Sequence, residues 1–180
     1  MEALKMPSQV CIENTKFMFF GVNNPCTNFA GLKSRSAFGS DRRQATICIP
    51  DEEQAMKLQE LGFNVKLSRP TDKYDAEYYI DIIAGYRNRS GEPVKNPPEI
   101  ILDADGELTP LTEETVGTVD KLFDQNAIDY IDVILRPSTF DPEHPTLYIK
   151  KMYVVEKNAI EDDPYYYKHR RDEQPEEAPF

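Results

Sequence analysis

The chain has 180 residues, 39% of them apolar and none tryptophan, and a formal charge of −11. That length supports one domain with a substantial hydrophobic core. A simple nucleic-acid binder is expected to be basic, so any such function here must rest on local clusters of cations.

Residues 1–13 show no clear periodicity and read as an N-terminal arm; residues 14–157 read as the folded domain. Thr15 to Val22, rich in Phe, is expected to form the first strand. Asn23 to Ser40, with Pro25, Gly31 and Gly39, has the residue types of a long loop. Arg43 to Ile49 alternates, with Ala45, Ile47 and Ile49 on one side, and predicts a half-buried strand. Pro50-Asp51 opens a short helix whose apolar face is Ala55, Leu58 and Leu61, and Gly62 is a suitable residue to end it. Phe63 to Leu67 predicts a short strand and Glu77 to Arg87 a longer one. After a Gly/Pro loop, Glu99 to Leu102 reads as extended. Asp103 and Asp105 beside Gly106 lack the ligand spacing of a calcium loop and predict a turn. Thr112 resembles a helix N-cap, with Leu111 and Val116 as a hydrophobic staple and Val119 and Phe123 continuing the stripe. Ile131, Val133 and Leu135 line one further strand, which Pro137 is expected to stop. Leu147 to Val155 is another, and its broken alternation at Lys150 and Lys151 predicts a bulge or a strand covered on both sides. Five main strands with a helix before the fourth, in a mainly β (α+β) chain, match an oligonucleotide/oligosaccharide-binding (OB) barrel. Another small α+β sandwich has the same element list.

Residues 158–180 form a tail with seven acids and three bases, so it contributes −4 and the remainder −7. Its last nine residues, 172–180, cannot bury a core. Asp172, Glu173, Glu176, Glu177 and the final Phe180 offer carboxylates, a ring and a free terminus, the features of a peptide captured by a partner. An acidic tail beside a cationic groove also competes with nucleic acid for that groove.

Catalytic motifs are absent: no phosphate loop, no G-x-S-x-G and no H-E-x-x-H. Cys11, Cys26 and Cys48 with His144 and His169 have no metal-type spacing, so no cofactor is expected and three reduced cytosolic thiols are. No apolar run reaches membrane-span length, and the first residues lack a signal-peptide core. Binding of single strands has better support. Phe29, Lys33, Arg35, Phe38, Arg42 and Arg43 interleave rings with cations, which track phosphates while rings stack on bases. Lys66 and Arg69, then Tyr79, Tyr86, Arg87 and Arg89, then Arg136, Lys150, Lys151 and Tyr153 extend the candidate set.

These features bring a family into view. The acidic tail with terminal Phe resembles that of bacterial and bacteriophage single-stranded DNA-binding proteins, and the body is similar to the phage branch with one OB domain. Thr27-Asn28-Phe29-Ala30-Gly31, Gly62-Phe63-Asn64-Val65-Lys66, Asp132 to Pro137 and Tyr148 to Val154 carry the resemblance. It implies an OB fold, sequence-tolerant binding of single-stranded DNA at replication, recombination or repair intermediates, and recruitment of a polymerase, helicase/primase or recombinase through the tail. It would place a phage-encoded chain in the host cytoplasm and leaves the oligomeric state open, a homodimer included. Two rival readings stand beside it: an acidic DNA mimic that inhibits a nucleic-acid enzyme, and a phage structural or assembly protein.

Overall fold

Two long strands rich in β-branched residues set the frame of the molecule. The computed structural model describes residues 6–20, 26–36, 39–73 and 75–157. Within them the chain order is β1 (Val10–Thr15), β2 (Thr27–Asn28), β3 (Gln44–Ile49), α1 (Glu52–Glu60), β4 (Lys66–Leu67), β5 (Tyr78–Ile83), β6 (Glu99–Ala104), β7 (Glu107–Leu111), α2 (Thr118–Asp124), β8 (Ile128–Ser138) and β9 (Thr146–Glu156). The chain is therefore mainly β with two helices, and its nine described strands join one mixed sheet.

β8 turns Ile131, Val133 and Leu135 inward, and antiparallel β9 answers with Leu147, Ile149, Met152 and Val154. The inward step lengthens between Ile149 and Met152 because Leu135 pairs with Ile149 and Ile134 with Lys151, leaving Lys150 as an extra residue. Of the two readings that the broken alternation allows, a bulge and a strand covered on both sides, this is the bulge. The opposite edge of β9 serves two strands, running parallel to β5 at Leu147 and Tyr148 and parallel to β6 from Lys151 to Val155. β5 pairs antiparallel with β3, and β1 pairs antiparallel with β8. Just past β1, Phe17 bridges Ile47, Met18 N–H donates to Thr46 O at 2.9 Å, and Cys48 N–H donates to Lys16 O at 3.0 Å.

Several expectations need correction. The arm is shorter than 1–13, since Val10, Ile12 and Thr15 pack inward on β1. The first strand accordingly begins before Thr15, because Val10 and Ile12 supply the alternation that Phe-rich residues 17–20 lack. β3 is covered on both sides, with Thr46 and Cys48 buried as well as the apolar set. Pro137 does not stop β8; it pairs with Leu147 inside the ladder. Asp105 and Gly106 form the expected turn, both at positive φ (54° and 84°), but the turn joins β6 to a strand, β7, that periodicity does not reveal. Thr112 starts a turn rather than the helix: Thr115 N–H and Val116 N–H both donate to its carbonyl, and α2 begins only at Thr118. α1 agrees with expectation. Asp51 caps it by accepting from Glu53 and Gln54 N–H, and Gly62 follows its end at φ +97°.

α2 is short, yet it carries the polar tie of the domain. Asp120 is 3% exposed and accepts from Phe29 N–H at 2.9 Å and Ala30 N–H at 2.8 Å. Arg35 lies 3.8 Å from the same carboxylate and donates to Asp124 at 2.7 Å. The segment after β2 is thereby fastened to α2. Removing this carboxylate leaves the Phe29 and Ala30 amides without their acceptor, while Arg35 keeps Asp124; an orphaned buried group costs about 1–3 kcal/mol. Asp120→Ala is expected to lose at least that much stability, read as a lower urea midpoint with unchanged slope. A midpoint within error of wild type would refute the role assigned to this carboxylate.

Candidate nucleic-acid interface

The side chains expected to bind DNA fall into separate places. Phe29 is fully buried, its ring edge-on to Phe17 at 5.8 Å. It is a core residue, because the two backbone amides held by Asp120 turn its ring inward. Tyr86 is 8% exposed, so it too is excluded as a stacking platform. The Arg43 guanidinium lies 5.5 Å from the centre of the Tyr86 ring and donates to the carbonyls of Phe29 (2.7 Å) and Glu113 (3.0 Å). Arg87 forks onto the Glu113 carboxylate, which holds that carboxyl below its ordinary range. Arg35, Arg43 and Arg87 are thus engaged in holding loops together, where the sequence pattern assigns them to phosphates. Phe38 and the tail residues Asp172, Glu173, Glu176, Glu177 and Phe180 lie outside the described residues.

What remains gathers on the outer face of β3 and β5. Tyr79 is half-buried on β5, opposite Cys48 on β3 and Lys66 on β4. The ring of Phe20, 41% exposed, meets it at 5.2 Å in an edge-on contact. The next row of that face runs from Arg136 through Tyr148 and Ile83 to Gln44. Gly85 lets the chain lie against Tyr148, since a Cβ there would sit 3.0 Å from the ring. Phe140, at the tip of the β8–β9 hairpin, is 83% exposed, with the Arg89 guanidinium 5.2 Å from its ring centre. Lys33, Arg42, Lys66, Arg69 and Arg136 are partly or fully exposed. Electrostatically the face is mixed. Asp81 lies between the two rows and accepts from the Thr46 hydroxyl, and Lys16 pairs with Glu77 at 3.0 Å.

Lys151 and Tyr153 do not belong to this face. They stack on each other at 5.2 Å on the outer side of β9 where it pairs with β6. Lys150, at the bulge, reaches Gln9 at 3.5 Å. Phe19 (67% exposed), Phe20, Phe140 and Tyr148 are exposed or half-exposed rings outside the set expected from the sequence. A signal existed for the first two: the consecutive large side chains Phe17 to Phe20 exceed what one buried strand face takes up. Phe140 stands among turn residues, where no core is available to it. Cys26 and Cys48 are not reactive candidates, because burial raises both thiols, Cys26 to about 12. No helix among the described residues is long and apolar enough to cross a membrane.

The chain matches no protein-family model, no curated protein and no solved structure.

The placements of Phe29 and Tyr86 are each open to measurement. Phe29→Ala is expected to cost about 3–5 kcal/mol of stability as a core truncation, seen in urea unfolding; a stable variant that only loses ligand binding would return Phe29 to the site. Burial also pushes the Tyr86 hydroxyl up to about 12. Its folded value exceeds the unfolded one near 10, so its contribution to stability is complete below about pH 10 and is lost as pH rises through about 12. Tyr86→Phe should therefore flatten the alkaline arm of a stability–pH curve, and an unchanged arm would contradict the assignment.

Proposed function

We propose that this protein binds single-stranded DNA without sequence preference and without catalysis, laying the strand along the side of β5 that carries Tyr79, against which Phe20 packs. The observation that carries the reading is the exposure of Phe20 and Phe140, with half-buried Tyr79 against Phe20, in the company of cations. Lys66 and Arg136 form no ion pair among the described residues, and Arg89 already lies on the Phe140 ring. Exposed rings with neighbouring cations suit bases and phosphates of an unpaired strand, whereas a duplex hides its ring faces. The pairing order lends support. The strands run β1-β8-β9-β5-β3 in the sheet, with β5 and β9 parallel and α2 between β5 and β8 in sequence, an order compatible with an OB barrel in which β1 would also meet β3. The Phe17–Ile47 bridge lies on the seam that would close such a barrel. The resemblance to phage single-stranded DNA-binding proteins points the same way, and recruitment of replication proteins by residues 158–180 belongs to this proposal.

A fluorescence-anisotropy titration with labelled poly-dT tests it. Phe20→Ala and Phe140→Ala are each expected to weaken binding by about 1–3 kcal/mol, roughly 5- to 150-fold, with stability retained. Neutralising about five phosphates gives a slope of log affinity on log salt near −3.5. Absence of oligonucleotide binding at low salt would sink the proposal and favour the DNA-mimic reading, to which the charge of −11 lends weight.

A further inference from the structure

The half of the sheet beyond the bulge carries a second outer face, chemically unlike the first. Its inner side is core: Val133, Met152, Ile100 and Leu111 form one buried row across β8, β9, β6 and β7. Its outer side has three rows. Ile134, Lys151 and Glu99 make the first; Asp132, Tyr153, Ile101 and Pro110 the second; Tyr130, Val155, Asp103 and Leu108 the third. None of these outer residues is buried, and Leu108 is 57% exposed. Two of the acids are already turned to backbone, Asp132 accepting from Asn14 N–H at 2.7 Å and Asp103 from Gly106 N–H at 2.9 Å. A mainly apolar, half-exposed sheet face is left, with one cation and one further acid side by side at its end.

We propose that this face mates with the same face of a second copy of the chain. The argument is self-complementarity. Consider a two-fold axis parallel to the strands, in the plane between the two faces and midway between β9 and β6. It keeps each row level and exchanges β9 with β6 and β8 with β7. Tyr153 then meets Ile101 of the other copy, Tyr130 meets Leu108, and Lys151 meets Glu99, each contact made twice. Sheets stack about 10 Å apart with strands nearly aligned, which such an axis permits. Four strands about 4.8 Å apart and five residues long span roughly 19 Å by 17 Å. That is a small footprint beside the roughly 800 Å² per partner of a stable complex, so the pair forms and dissociates with concentration. This inference is independent of the nucleic-acid proposal.

Sedimentation velocity of the full chain over a concentration series tests it. Wild type should move reversibly from 20.7 kDa toward twice that mass. Ile101→Asp should weaken association at least about tenfold, since the charge is buried twice, while retaining fold by circular dichroism and a cooperative urea transition. Lys151→Glu and Glu99→Lys should each weaken it alone, by apposing like charges. Mixing the two variants should restore it. The acid introduced in one copy then meets the lysine introduced in the other, and at the second contact native Glu99 meets native Lys151. A neighbour contact within one chain could not produce that rescue. A monomer at every concentration, association indifferent to these changes, or no rescue on mixing the two charge variants would each overturn the proposal.

Discussion

The carboxylate of Asp120 is the constraint on which the arrangement of loops depends. A charge 3% exposed is tolerated only when it is compensated, and here two backbone amides donate to the carboxylate while a guanidinium lies 3.8 Å away as its counter-charge. In closing over it, the segment after β2 delivers Phe29 into the core against Phe17, which in turn meets Phe123 of α2 at 6.1 Å. The same closure consumes Arg35. An electropositive loop in the sequence thus becomes a cross-brace in the fold, and the surface available to a polyanion is set by what this brace leaves over.

The second organising feature is the extra residue in β9. The 11-residue strand serves two partners along one edge, and the bulge at Lys150 shifts the phase of its pleat between them. Below it, outward side chains join the ring-bearing face of β3 and β5. Above it, outward side chains join β6 and β7 in a drier, more balanced surface. Lys151 and Tyr153 look like continuations of the first face in sequence, yet the phase change assigns them to the second.

Much of the architecture was legible because periodicity reports burial. The alternations of β3, β5 and β8, the helix opened by Asp51 and the irregularity at Lys150 all carry their cause within a few residues. The misses share a different origin. β7, with Thr109 and Pro110, has no run of β-branched residues; it is a strand because β6 is beside it. Thr112 has the side chain of an N-cap but is committed to a local turn with Thr115. For the site, cations and rings could be recognised by type but not by occupancy. Nothing near Arg43 or Arg87 in sequence reveals Glu113, some seventy and twenty-six positions away. Phe29 and Phe20 are the same residue type, and the inward turn of Phe29 depends on the distant Asp120, which holds the Phe29 and Ala30 amides.

The margins of the sheet have a consequence for crowded solutions. Strand margins with unsatisfied backbone groups invite runaway stacking of chains into fibres, and the described ones here are blunted. β7 places Pro110 where a donor would be needed, β2 and β4 are only two residues long, and Gln54 from α1 donates to Cys11 O at 2.9 Å, shielding β1. With mutual repulsion from a charge of −11 added, the molecule is suited to accumulate to high abundance without precipitating.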